Sequence, residues 1–236
     1  MYATYPIAHE PAAMATVSDF EHWWRAPGHW VEAPNQRRGG ESGVLLLRRG
    51  AATLFCKRQS GHLYRTLAHP FGRPTVLREL GAYRALDKLG LRVPQVAFGG
   101  ARRTPEGWQA LLVTHRLEGF VSLADWYAGP AAQASAATRQ AVLRRLAAYL
   151  ARLHGQRWQH GCLYAKHIFV AANEAGAEVA LIDLEKSRRR WTVAGAARRD
   201  IGQLARHRGA MPDADWAFLL AAYRAALPQL PATIGA

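Results

Sequence analysis

Apolar positions along the chain change period several times, and each change marks an element. Residues 1–18 are rich in Ala and Pro without a period and read as a loose N-terminal arm. Phe20, Trp23 and Trp24 then fall at helical spacing, with Trp30 close behind, and predict a short helix; it either packs on the body or anchors at a membrane surface. The run Val44–Leu47, the turn at Arg49-Gly50 and the run Ala52–Arg58 predict a hairpin. Val76, Leu77, Leu80, Tyr83, Leu86 and Leu89 form a helical stripe that stops at Gly90. Residues 93–98 and 108–115 read as a second hairpin.

Beyond it the pattern becomes mainly helical. Ser122 opens a short helix over Leu123–Tyr127. Ser135–Gly155 carries Val142, Leu143, Leu146, Tyr149, Leu150 and Leu153 on one face. A final helix, capped by Asp213, carries Trp216, Leu219, Leu220, Tyr223 and Leu227, and residues 228–236 read as a frayed tail. Two hairpins and a helix thus make a β-rich lobe over 19–117, followed by a mainly helical lobe over 118–227: an α+β fold of two lobes.

Against this pattern a few polar residues stand out. Lys57 lies inside the apolar strand Leu54-Phe55-Cys56-Lys57, where a charge is costly without a partner. Glu79, on the following helix, is either that partner or an ordinary surface acid. The preceding stretch, Arg37-Arg38-Gly39-Gly40-Glu41-Ser42-Gly43, is either a plain turn or a backbone cradle in which Gly40 and Gly43 let N–H groups approach phosphates. Two short apolar runs follow the long helix. One belongs to His160-Gly-Cys-Leu-Tyr-Ala-Lys-His-Ile-Phe-Val170 and the other ends in Ile182-Asp183. In the general protein-kinase pattern a His-x-Asp loop carries the catalytic acid, a residue five places later helps hold metal, and a later Asp after a short strand binds Mg2+. Here His160 and Asp183 fit that frame, while Cys162 stands in the place of the acid and His167 in the place of the Asn.

Composition narrows the class. Half of the 236 residues are apolar and eight are Trp, enough for a core. No run approaches the roughly 20 apolar residues that a bilayer span needs. No signal-peptide pattern opens the chain, and the two cysteines, Cys56 and Cys162, suit a reduced compartment, so a cytoplasmic location is expected. The formal charge of +14 implies either an anionic partner or merely a solvated basic surface. The turn Lys186-Ser187-Arg188-Arg189-Arg190 would attract phosphosugars or anionic lipid headgroups. No helix-turn-helix, zinc-finger or RNA-recognition signature is present, so no specific nucleic-acid partner is expected.

Lys57, Glu79, His160-Gly-Cys-Leu-Tyr-Ala-Lys-His167, Ile-Asp183-Leu-Glu-Lys and Arg-Asp200-Ile-Gly together resemble the lipopolysaccharide kinase family, the Kdo/heptose kinases, and especially its InaA-like branch. The resemblance spans roughly residues 37–225. It implies a protein-kinase-like fold that uses ATP and Mg2+ to phosphorylate a heptose or Kdo sugar of the lipopolysaccharide core on lipid A, at the cytoplasmic face of the inner membrane. It also implies that Lys57, held by Glu79, positions the α- and β-phosphates, and that backbone near His115, in the connector 114–119, meets the adenine. Asp183 would carry Mg2+, with His167 either ligating metal or orienting Asp183 or the substrate. Lys166 is a candidate stabiliser of the transferring group, His160 is a brace or proton carrier in the catalytic loop, and Asp200, opening a helix, would anchor that loop from beneath. For Cys162 several roles stay open: it acts as a thiolate base, Glu185 serves instead, no base is needed, or the chain is a pseudokinase that binds nucleotide or a partner in envelope or stress regulation. A small-molecule phosphotransferase of the aminoglycoside or choline kind is a further alternative.

Overall fold

Along Gly40–Arg49, Leu45 and Leu47 are buried and their neighbours less so, the period-two burial of a strand with one face on a core. The computed structural model describes residues 17–37, 39–67, 69–173 and 176–229. Residues 1–16 of the expected arm and 230–236 of the expected tail lie outside the described residues.

The chain opens with helix α1 (Val17–Arg25), then strands β1 (His29–Arg37), β2 (Gly40–Arg49), β3 (Ala52–Ser60), β4 (Leu63–Thr66) and β5 (His69–Pro74), helix α2 (Thr75–Lys88), and strands β6 (Val96–Thr104) and β7 (Gly107–His115). Five of these strands form one sheet in the order β1-β2-β3-β7-β6, every pairing antiparallel. α1 covers one face: Phe20 is buried with Leu45, Leu47, Leu54, Cys56, Leu111 and Val113. Its ring stacks on Trp24 at 5.7 Å and meets Phe98 edge-on at 6.3 Å. Of the two readings of this aromatic helix, packing on the body is therefore the one realised. α2 covers the opposite face, where Gly99 leaves room for the Leu80 side chain, 2.9 Å from where a Cβ would stand.

Three strands of this first part escape the sequence pattern. β1 carries Trp30, just beyond the first helix. This strand contains Pro34 and slips register twice, between Trp30 and Glu32 and between Glu32 and Asn35, so no clean alternation betrays it. β4 and β5 pair as a small hairpin over a stretch rich in Arg, His and Pro. Gly40 and Gly43 lie within β2 rather than in a turn before it.

The remainder comprises β8 (Val121–Ser122), α3 (Leu123–Ala128), α4 (Pro130–Gln133), α5 (Ala136–Gly155), β9 (Trp158–Gln159), β10 (Ile168–Asn173), β11 (Gly176–Leu181), β12 (Arg188–Arg189), α6 (Val193–Arg206) and α7 (Asp213–Ala226). α5 is the axis of this part: Val142, Leu143, Leu146 and Leu150 are fully buried. The Ser135 hydroxyl accepts from the Thr138 N–H and caps the helix. α7 begins at Asp213 without a side-chain cap, and that carboxylate pairs with Arg208 instead. Asp200 lies in the middle of α6 rather than at its start. Among the described residues no helix is long and apolar enough to cross a membrane.

Candidate functional site

β3 is a central strand, flanked by β2 and β7, and it sets Lys57 opposite Val44 and Leu112 on the α2 face of the sheet. Cys56, one residue earlier, points into the α1 cluster on the other face, as pleating requires. α2 places Glu79 against the ammonium, Oε2 to Nζ 2.8 Å, with the acid 3% exposed. A second carboxylate reaches the same nitrogen from the far half of the chain, Glu185 Oε2 at 3.0 Å, and Asp183 Oδ1 stands 3.8 Å away. Burial alone would push the Lys57 ammonium down, but Glu79, Glu185 and Asp183 together hold it well above its ordinary range, so it is protonated. Burial also pushes the Glu79 carboxyl up, and Lys57 only partly offsets this. For Glu185 the balance reverses: burial acts upward, and the ammonium outweighs it.

The chain carries Asp183 out of β11 with φ 58° and ψ 56°, a left-handed conformation uncommon for a residue with a Cβ. Such strain persists where surroundings enforce it. The turn Leu184–Lys186 that follows is fastened by Ser187 Oγ, donating to the His160 carbonyl at 3.0 Å, and by Arg78 Nε, donating to the Glu185 carbonyl at 2.6 Å. Gly161 makes the close approach possible: at φ 86° a Cβ there would stand 2.7 Å from the Lys186 carbonyl.

Asp200 organises the loop at His160 from below. Fully buried, its Oδ2 accepts from the His160 N–H at 2.6 Å and its Oδ1 from the Gly161 N–H at 2.9 Å. His154 Nε2 meets Oδ2 at 3.2 Å, and His154 Nδ1 lies 2.6 Å from the Tyr223 hydroxyl. The carboxylate needs a donor at Nε2, so the tyrosine O–H donates to Nδ1.

His160 has both ring nitrogens committed. Nδ1 accepts from the Cys162 N–H at 3.2 Å, which leaves Nε2–H to donate to the Ile182 carbonyl at 2.9 Å. Burial holds its imidazole below the usual value, and at 1% exposure it braces the loop and has no proton to exchange with a substrate. Of the two roles open to His160, this geometry suits the brace.

His167 is oriented in the same manner. Its Nδ1 lies 2.8 Å from the Cys162 carbonyl, which can only accept, so Nε2 presents a lone pair in the neutral ring, 3.4 Å from Asp183 Oδ2. Two acceptor atoms facing each other at that distance suit a cation between or beside them. The surrounding charge agrees: one ammonium, Lys57, stands among three carboxylates, Glu79, Asp183 and Glu185. Among the described residues no three His, Cys, Asp or Glu side chains cage a metal by themselves. A donor set this sparse fits Mg2+, which keeps waters and takes substrate phosphate oxygens as ligands.

Cys162 is a buried free thiol whose backbone carbonyl accepts from both His167 and the Tyr164 N–H. Lys166 is exposed in the short turn Ala165–His167. His115 pairs with Leu54 at the end of β7. Gly40 and Gly43 have packing reasons: a Cβ on Gly40 would strike the Gly61-His62 backbone at 2.4 Å, and one on Gly43 the Trp30 ring at 2.7 Å, away from Lys57. Sequence reasoning did not pair Glu185 with Lys57, nor find Arg78, Gly161 or the His154–Tyr223 pair. Of these only Gly161 carried a local sign, a glycine immediately after the motif's first histidine.

Three comparisons bear on this arrangement. The model of the lipopolysaccharide kinase (Kdo/WaaP) family matches residues 21–223. The curated protein InaA of Escherichia coli (strain K12) is 42% identical over 215 residues, covering 91% of this chain and 99% of that protein. A solved structure, WaaP in complex with acyl carrier protein, superposes with a TM-score of 0.65 at 17% identity, covering 86% of this chain and 81% of the other. The likeness in structure, with the sheet-rich first part and helical second part, gives the chain a kinase-like fold.

Proposed function

Because the chain belongs to the lipopolysaccharide kinase (Kdo/WaaP) family, we propose that it transfers the γ-phosphoryl group of ATP to a heptose or Kdo hydroxyl of the lipopolysaccharide core. The observation that carries this reading is the convergence of Lys57, Glu79 and Asp183 from β3, α2 and the end of β11, at 2.8 and 3.8 Å. Residues 19–117 would hold the nucleotide and 118–227 the acceptor side, with the adenine near His115. Lys57, fixed by Glu79, would meet the phosphates. Asp183 and His167 are the residues that would hold Mg2+, whose chemistry there is neutralisation of charge on the phosphate oxygens.

Phosphoryl transfer through a loose transition state depends on positioning and on charge stabilisation more than on a strong base. That is why a thiol in the place of the acid is compatible with transfer. Cys162 is buried, and its carbonyl orients His167. Lys166, exposed in that turn next to His167, would stabilise the transferring group. The acceptor, being borne on lipid A, would be met at the cytoplasmic face of the inner membrane by a protein held there peripherally.

Two observations favour a second reading, a nucleotide-binding pseudokinase that acts through a partner: Glu185 already meets Lys57 at 3.0 Å, and no acid stands at position 162. Mass analysis of core oligosaccharide from cells with and without the protein separates the two. Loss of one phosphate on heptose or Kdo supports the kinase, and an unchanged core opposes it.

A further inference from the structure

The β4–β5 hairpin, which the nucleotide and acceptor roles leave unused, exposes apolar side chains. Leu67 is 104% exposed and Phe71 is 93% exposed, four residues apart near its end. Single exposed apolar residues are ordinary, but two on one projecting hairpin are not explained by packing. The base is pinned: buried Gln59 accepts from the Thr75 hydroxyl at 2.7 Å, Thr75 Oγ1 lies 2.9 Å from His62 Nδ1, and the Thr75 N–H donates to the His62 carbonyl at 3.1 Å. A fixed base with an apolar end presents those side chains without having to order them first.

Charge says what they meet. From Gly61 through Arg78 the sequence contains no Asp or Glu, while Arg65 and Arg73 are exposed on the hairpin. A second stretch without acids runs from Lys186 through Arg199. It exposes Lys186, Arg188 and Arg189 and ends its turn on Trp191, 94% exposed. Arg78 joins the two stretches: its guanidinium stacks over the Tyr64 ring at 4.6 Å while its Nε donates to the Glu185 carbonyl. Apolar side chains on an arginine-bearing hairpin, together with an exposed tryptophan on the second basic stretch, have the chemistry of an interface between lipid and water.

We propose that the β4–β5 hairpin inserts Leu67 and Phe71 into the surface of an anionic phospholipid bilayer, with Arg65, Arg73, Lys186, Arg188 and Arg189 meeting the headgroups and Trp191 seated at their level. The proposal deepens the reading of a lipid-borne acceptor and rests on it only for its purpose. Through Tyr64, Arg78 and Glu185 the docked surface is tied to Lys57, so binding would present the site to the membrane.

The test is sedimentation of the full chain with phosphatidylcholine vesicles, with and without phosphatidylglycerol, in the absence of nucleotide and lipopolysaccharide. It therefore reads membrane docking separately from transfer. The wild type is expected to sediment with the anionic vesicles and to be released by salt. The Leu67→Ser/Phe71→Ser variant is expected to bind about tenfold more weakly with an unchanged melting temperature, and Arg188→Ser/Arg189→Ser to lose most of the preference for phosphatidylglycerol. A Phe71→Cys variant carrying a polarity-sensitive dye should report an apolar environment only on anionic vesicles. No sedimentation of the wild type, or full binding by the Leu67→Ser/Phe71→Ser variant, would overturn the proposal. So would a dye that stays in water while the protein sediments, since that result makes the contact one of charge alone.

Discussion

Lys57 is held from both halves of the chain at once, by Glu79 at 2.8 Å and by Glu185 at 3.0 Å. An ammonium has three donors, and incoming phosphate oxygens need at least one of them. Glu79 is almost wholly buried, whereas the Glu185 side chain keeps 16% exposure. Glu185 is therefore the partner that yields. Glu185→Gln, which removes a negative charge from the path of the phosphates, should tighten ATP binding about fivefold, and Glu79→Gln should weaken it by a similar factor. Calorimetric titration of both variants checks the opposite signs; equal weakening by both contradicts the exchange.

The loop at His160 depends on one buried carboxylate. Asp200→Ala strands two backbone N–H groups and His154, and should cost about 3–5 kcal/mol of stability. Tyr223→Phe, which removes a single hydroxyl from His154, should cost about 1 kcal/mol. Urea unfolding of both variants measures the ratio, and similar costs would mean that Asp200 is not the organiser.

Acid sensitivity should follow from His160. Burial holds its folded value below the ordinary 6.5. The unfolded chain binds a proton on this ring at pH values where the folded chain does not, so the stabilising contribution is present above 6.5 and is lost as pH falls below it. The slope reaches at most about 1.4 kcal/mol per pH unit for one group. His160→Asn cannot titrate, so its melting temperature should fall less steeply between pH 7 and 5 than that of the wild type. Parallel curves would contradict the assignment.

Cys162 should be dispensable as a base. Its structural use is through its backbone, so Cys162→Ser should leave transfer within about twofold, and Cys162→Asp should raise it. Abolished transfer in Cys162→Ser would assign the thiol a chemical role.

Much of this was legible in the sequence because the informative residues sit inside strongly periodic elements. Lys57 interrupts an apolar strand, Glu79 lies on a clear helical stripe, and Asp183 ends an apolar run. The kinase-like fold and the family followed from that order. β1 and the β4–β5 hairpin were not legible, because Pro34, register slips and clustered Arg and His erase the alternation that pattern reading needs. At Gly40 and Gly43 the sequence left a turn and a phosphate cradle equally open; the structure shows the glycines clearing space for neighbouring backbone and for Trp30, a need that no local rule reads. In sequence Glu185 reads only as a substitute base for Cys162, because its partner Lys57 is 128 positions away and only the tertiary fold brings them together.

The central claim is tested most directly by transfer of labelled γ-phosphate from ATP with Mg2+ to lipopolysaccharide from cells lacking the protein, run beside Lys57→Ala and Asp183→Ala. Label entering the core oligosaccharide with the wild type, and lost in both variants, is the predicted result. No label with the wild type, while ATP still binds and that binding is lost in Lys57→Ala, would contradict the kinase account and leave a nucleotide-binding protein that acts without transfer.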